Sequence, residues 1–305
     1  MTTSTTILNA LRAGDSLDSI GLPKVDGFID LRGFKAPRPR VVGTRGSPIG
    51  EMQLLQDPVV VRNARWNSID FSRARLQSVL LFHSRIENCR FDGADLSHFA
   101  MWGTQVESSS FRFADLRRAA LGGIGQDRSR NSFRNVDFSG ADLRETVHGS
   151  ADFRDCVFDD CNLTGVDFRA DVFESCRFSG ELREVLFYRQ AFKLEEFPPN
   201  EMKNVDLRRA KLRMCAFRKL DLDTIRWPED ADHIVIRDLP AALDRGIELL
   251  ESRSDLGARR LTVQLNMIKQ WLGANQRVAV INRLDFIEMA GECATDELLL
   301  VMRPH

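Results

Sequence analysis

From Trp66 to Leu222 an apolar residue returns every fifth position, with two phase slips. The first run is Trp66, Phe71, Leu76, Leu81, Ile86, Phe91, Leu96, Met101, Val106, Phe111, Leu116 and Leu121. The second is Phe133, Phe138, Leu143, His148, Phe153, Phe158, Leu163, Phe168, Phe173 and Phe178, and the third is Phe187, Phe192, Phe197, Met202, Leu207, Leu212, Phe217 and Leu222. Only His148 among these centres is not apolar. A helix repeats near 3.6 residues and a half-buried strand near 2, so neither produces this beat. A fixed period held for so long predicts a solenoid, whose units bury their inward face only by stacking on neighbours. The position two before each centre is mostly small, as at Ala64, Ala74, Cys89, Ala94, Ala114, Ala141, Ala151, Cys161, Ala210 and Cys215. Large residues alternating with small ones suit a narrow, close-packed interior. Gly93, Gly103, Gly123, Gly140, Gly165 and Gly180 each stand two after a centre, where a chain turning at every repeat needs permissive corners.

The flanks read differently. Residues 5–20 predict a short amphipathic helix through Ile7, Leu8, Leu11, Leu17 and Ile20. Residues 21–60, rich in proline and glycine, read as an extended segment ending in Val59-Val60-Val61 that could cap the open first coil, whose unpaired strand edges would otherwise invite aggregation. Loops are expected near 122–132, where the first slip falls in a glycine-rich stretch, and near 190–201, which includes Pro198 and Pro199. After Trp227-Pro228 the beat stops. Ile234-Val235-Ile236 predicts a strand; 241–250, 261–272 and 296–302 predict helices, with Gly273 stopping the second. The expected organisation is an N-terminal helix and capping segment at 1–58, the repeat region at 59–227, and a small, mainly helical domain at 231–305.

The triplets Ala-Asp-Leu at 94–96, 114–116 and 141–143, Ala-Asp-Phe at 151–153 and Cys-Asn-Leu at 161–163 resemble the pentapeptide-repeat family, whose pattern is Ala-Asp/Asn-Leu/Phe followed by two variable residues. The resemblance covers roughly half the chain. It implies a mainly β fold: a right-handed quadrilateral β-helix with four pentapeptides per coil, here with an N-terminal cap segment and a small C-terminal helical domain. At roughly 4.8 Å per stacked strand the rod would be on the order of 35 Å long.

Composition sharpens this expectation. The chain holds 20 Phe but one Tyr. A phenol hydroxyl inside such a coil would lack a partner at a cost of about 1–3 kcal/mol. Cys89, Cys156, Cys161, Cys176 and Cys215 all occupy the small inward position, which favours buried small hydrophobes over metal ligands or disulfides. Free thiols, no signal peptide and no apolar run long enough to span a bilayer favour the cytoplasm and no membrane partner.

No nucleophile elbow, phosphate-binding loop or metal-ligand spacing is present, so no catalytic, metal or cofactor residues are assigned. His148 is inward by register and reads as a hydrogen-bonded core histidine. One outward column is unusual. Leu80, Phe82 and His83, then Ala100, Trp102 and Gly103, then Ala120, Gly122 and Gly123, carry no charge, and if the loop restores register Val147, Gly149 and Ser150 continue it. Phe82 and Trp102 would then be exposed apolar surface. Either a terminal segment covers it, or it is a partner-binding strip or a homodimer contact.

Charge is segregated. Residues 151–181 are acidic, including Asp152, Asp155, Asp159 and Asp160, while 203–219 hold seven bases against Asp206 alone; the whole chain is at −1. The best-known family members are quinolone-resistance and self-immunity proteins that mimic duplex DNA and engage type II topoisomerases. A full mimic should be acidic along its length, because duplex DNA carries one charge per roughly 1.7 Å. The leading expectation is therefore a non-catalytic scaffold that binds another protein through a face of the β-helix or through the C-terminal domain. The alternatives, in order, are a DNA-mimic modulator of gyrase acting through the acidic coils, and direct nucleic-acid binding through 203–219.

Overall fold

The computed structural model describes residues 4–13, 17–47, 50–123, 127–169, 171–190, 197–273 and 276–303. Short parallel strands stack coil on coil through most of this span. The longest sheet runs through strands Arg65–Asn67, Arg85–Glu87, Gln105–Glu107, Ser132–Arg134, Asp152–Arg154 and Val172–Glu174. Trp66 pairs with Ile86 and Ile86 with Val106. Each step skips three centres and lands on the fourth, so four repeats make one coil and the result is a quadrilateral β-helix. Each centre faces inward and stacks on its equivalent. Phe71, Phe91, Phe111, Phe138, Phe158 and Phe178 form one such column, with ring centroids 4.6–5.3 Å apart, about the strand spacing of a β-sheet. Nearly every centre is fully buried.

The corners explain the residues between centres. At Ala74, Ala94, Ala114 and Ala141 the backbone N–H closes a turn onto the carbonyl three residues back. At other corners a polar side chain in the next coil accepts the N–H instead. Ser84 Oγ takes Ala64 N at 3.1 Å, Ser109 Oγ takes Cys89 N at 3.1 Å, Asn131 Oδ1 takes Thr104 N at 2.9 Å and Asp171 Oδ1 takes Ala151 N at 2.8 Å. An unsatisfied buried N–H would cost about 1–3 kcal/mol, so these polar residues at the small inward position hold the coils together. The cysteines at that position point Sγ at backbone carbonyls, and burial pushes the Cys89, Cys161 and Cys215 thiols up to about 12. The residue two after a centre adopts positive φ at most corners, as at Arg73 (58°), His83 (50°) and Gly93 (64°).

Three departures from the simple beat stand out. The first coil begins earlier than residue 59. Phe28–Asp30 pairs in parallel with Ile69–Asp70, and Leu31 and Ala36 lie in register with Phe71 and Leu76. An antiparallel hairpin, Arg40–Ser47 with Gly50–Gln56, then leaves the rod before the chain rejoins it. Secondly, the slip after Phe178 is a unit shortened by one residue. Leu182 is fully buried, and the long strands Arg177–Arg183 and Asp206–Arg213 stay paired past what is elsewhere a corner, with Gly180 keeping the positive φ of 76°. Thirdly, Phe197 is no centre: it is buried but lies outside the core cluster, against Arg128 and Arg130. Phe192 lies outside the described residues.

Helix α1 (Ser4–Ala13) buries Ile7, Leu8 and Leu11 against the first coil, which joins its apolar face to the β-helix core. The helix, rather than the 21–60 segment alone, thus covers the open end. Beyond Trp227 a strand His233–Ile236 pairs antiparallel with Ala279–Asn282, flanked by α2 (Leu239–Glu251), α3 (Leu256–Gln270), α4 (Arg283–Ala290) and α5 (Glu292–Met302). These share a second apolar core around Leu243, Leu261, Leu265, Phe286 and Leu298. Asp255 and Asn282 cap α3 and α4 through side-chain oxygens. Among the described residues no helix is long and apolar enough to cross a membrane.

Candidate partner-binding faces

The uncharged column is a real face. Leu80–Phe82 pairs in register with Ala100–Trp102, and Ala120 and Val147 continue the ladder across the first loop. Phe82 and Trp102 stack with centroids 4.7 Å apart at 11° and remain partly exposed. Leu80, Ala100, Trp102, Ala120 and Val147 pack together as a small cluster on the outside of the rod. The column does not start at Leu80, however. Val60–Arg62 pairs one coil earlier and lays the Arg62 guanidinium 4.4 Å over the Phe82 ring. The sequence carried that signal, because Arg62 stands one full coil before Phe82. Trp102 lies over Gly123, where a Cβ would come 2.6 Å from the indole. His83 is exposed at a corner, 3.7 Å from Asp127.

Two excursions lengthen the chain between stacked coils. The first lies between Val106 and its partner Phe133, and the second between Phe187 and its partner Phe217. An asparagine closes each excursion. Asn131 donates to Met101 O at 2.8 Å and Leu121 O at 2.7 Å while accepting Thr104 N. Asn200 accepts from Phe173 N and Met202 N. Arg130 joins the excursions: it donates to Ser150 O and to Asp152 Oδ1 at 2.7 Å, and its guanidinium lies 5.6 Å from the Phe197 ring.

The four acids of the middle coils do not act alike. Asp152 is paired with Arg130, and burial raises its pKa above the ordinary carboxylate value. For Asp159, burial alone would raise the pKa, but hydrogen bonds from Arg177 (2.6 Å) and Ser179 outweigh it and hold the carboxyl low. Asp155 and Asp160 stand exposed at successive corners with φ of 53°, and no ion pair to either occurs among the described residues. Elsewhere aspartates are neutralised two residues on, as in Asp115–Arg117, Asp142–Arg144 and Asp206–Arg208, each at 2.6 Å. The basic stretch 203–219 is engaged in part: Lys203 faces Glu174, Arg208 faces Asp206, and Arg213 bridges Asp285 and Glu288, while no ion pair to Arg209, Lys211, Arg218 or Lys219 occurs among the described residues.

His148 sits in the core column between Leu121 and Phe168, its Nε2 2.9 Å from Thr146 Oγ1 and its Nδ1 3.5 Å from the equally buried Asp171. These buried neighbours make it a core residue, as its register implies.

Residues 89–124 and 132–169 match the family described as pentapeptide repeats, in 8 copies. These stretches of the β-helix carry the repeats of the pentapeptide-repeat family. Among solved structures it is similar to the pentapeptide repeat protein Rfr23 from the cyanobacterium Cyanothece 51142, at 11% identity over 55% of this chain and 90% of that one, with a TM-score of 0.31. It is similar also to full-length QnrB1, a plasmid-mediated fluoroquinolone resistance protein, at 16% identity over 53% and 84%, with a TM-score of 0.26. A third is HetL, involved in heterocyst differentiation regulation in Nostoc sp. strain PCC 7120, at 18% identity over 55% and 83%, with a TM-score of 0.22. No curated protein matches.

The C-terminal unit meets the pentapeptide-repeat coils at their far end. His233 Nε2 accepts Leu212 N at 2.9 Å, held in that tautomer by Asp230 at Nδ1, and Asp285 accepts both Arg213 Nε and Met214 N at 2.7 Å. Lys219 N donates to Trp271 O. The inward column runs Leu81, Met101, Leu121, His148, Phe168, Phe187 and Phe217, which puts this junction six coils from Phe82, roughly 30 Å away. The described residues of the C-terminal unit thus meet the rod at the end away from the Phe82–Trp102 pair.

Proposed function

We propose that the protein is a non-catalytic scaffold that binds another protein through the face formed by Leu80, Phe82, His83 and Trp102. The observation that supports this reading is the stacked, partly exposed Phe82–Trp102 pair with Arg62 at its end. Aromatic residues and arginine, with Asp127 at the rim beside His83, are the composition of an interface centre. The fitting occupant is a protein offering an apolar or aromatic patch with an acid opposite Arg62; a second copy of this chain is the simplest such partner to exclude by sizing.

Affinity capture with wild-type protein and with Phe82→Ser/Trp102→Ser tests the proposal. A partner retained by the wild type should be lost by the double variant while the melting temperature stays the same. Equal retention by both would refute it.

The exposed Asp155 and Asp160 favour a second reading, in which the middle coils engage gyrase. The pairing of Asp152 and Asp159 with arginines weakens it, since only half the cluster offers free charge. A gyrase supercoiling assay with micromolar protein decides: inhibition or protection that disappears in Asp155→Asn/Asp160→Asn supports gyrase, and no effect of the wild type removes it.

A further inference from the structure

The junction between the β-helix and the C-terminal unit holds a cleft of about 310 Å³, within the range of small-molecule sites, roughly 300–1,000 Å³. Its walls are apolar and rich in methionine: Met214 and Phe217 from the last coils, Met267 and Trp271 from α3 and its end, Phe286 and Met289 from α4. Methionine lining adapts to ligand shape. Three polar groups on the wall are already engaged. Asp285 spends both oxygens on Arg213 and Met214 N, Gln276 donates to Phe217 O, and Asn282 caps α4 while donating to Leu212 O. Arg213, behind Asp285, is neutralised by Asp285 and Glu288.

Arg218 is different. It is half-buried on the cleft wall, its guanidinium 4.4 Å from the Trp271 ring and 4.9 Å from the Tyr188 ring, with one amino group on the Tyr188 hydroxyl. Among the described residues no carboxylate pairs with it. A guanidinium wedged between aromatic faces is a fixed fork for a carboxylate. Gln264, across the cleft on α3, has no hydrogen-bond partner among the described residues and supplies an amide on the same lining.

We propose that this cleft binds a small apolar monocarboxylate, such as a medium-chain fatty acid, with its chain among the methionines and its carboxylate on Arg218. The site is separate from the Phe82–Trp102 face and does not depend on it.

The test titrates the full chain by calorimetry with octanoate, octan-1-ol and octylamine, three probes of one length and different head charge. Octanoate should bind and the other two should bind at least about ten-fold more weakly, as expected when a charge-assisted hydrogen bond is lost. Arg218→Gln should weaken octanoate by a similar factor. Ala216→Phe, which fills the cleft from the coil wall and keeps Arg218, should abolish binding. Octanoate failing to bind, octanol binding as tightly, or Ala216→Phe binding normally would each overturn the proposal. Should Arg218→Gln fail to fold, the three probes on the wild type and the Ala216→Phe titration still decide.

Discussion

At the scale of single residues, the departures from the repeat carry as much structure as the repeat. Asn131 stands where a small residue belongs, and its three hydrogen bonds repair the backbone where the first excursion rejoins the coil. Asn131→Ala leaves one N–H and two carbonyls without that partner, and should cost at least about 3 kcal/mol. The exposed strand substitution Arg134→Ala should change stability by no more than about 0.5 kcal/mol. Chemical denaturation of the two variants checks the contrast. Such residues are hard to read from sequence because a polar residue at a small position looks like noise until the neighbouring coil is known. The same holds for Arg62, whose one-coil offset from Phe82 has meaning only once the stack begins before Trp66.

At the scale of elements, the regular beat made the β-helix, its inward column and the Phe82–Trp102 face legible, because stacking forces identical positions to repeat. The readings failed where that constraint is relaxed. Leu31 and Ala36 are spaced as centres, but Ile29 and Phe34, not small residues, hold the positions two before them, and a hairpin separates them from the next coil. Phe197 keeps the beat by coincidence, since its segment packs on Arg128 and Arg130 outside the core. Helix α4 escapes a periodicity reading because it is short and only weakly amphipathic. Within the stack, Phe158 contacts Phe138, Phe153, Phe173 and Phe178. Phe158→Ala should cost about 3–5 kcal/mol, whereas the exposed Thr164→Ala should barely move the unfolding midpoint. Equal midpoints would show the inward register to be wrong.

At the scale of the whole molecule, the rod is tied to its C-terminal unit through Asp285, which serves Arg213 and the Met214 N–H together. Asp285→Ala should cost about 2 kcal/mol or more, with hydrogen exchange rising first at 212–217. The aspartate–arginine pairs that line the coils predict a common pH response. Asp115, Asp142 and Asp206 are held below the ordinary carboxylate range, chiefly by the side-chain hydrogen bond from the following arginine. Their contribution is present above the unfolded-state pKa and is lost as pH falls through the lower folded value, so melting should be level from neutrality down to about pH 5 and fall below about pH 4. Asp152, raised by burial, acts in the opposite sense: its penalty is relieved as pH falls through its higher folded value, above the window in which the other three lose their contribution. The most direct test of the scaffold reading is oxidative footprinting of the tryptophans in the complex with a captured partner. Trp102 should become protected while Trp271, five coils away, keeps its free-state reactivity. Unchanged reactivity at Trp102, with protection confined to Trp271 or to the 152–160 coil, would contradict it.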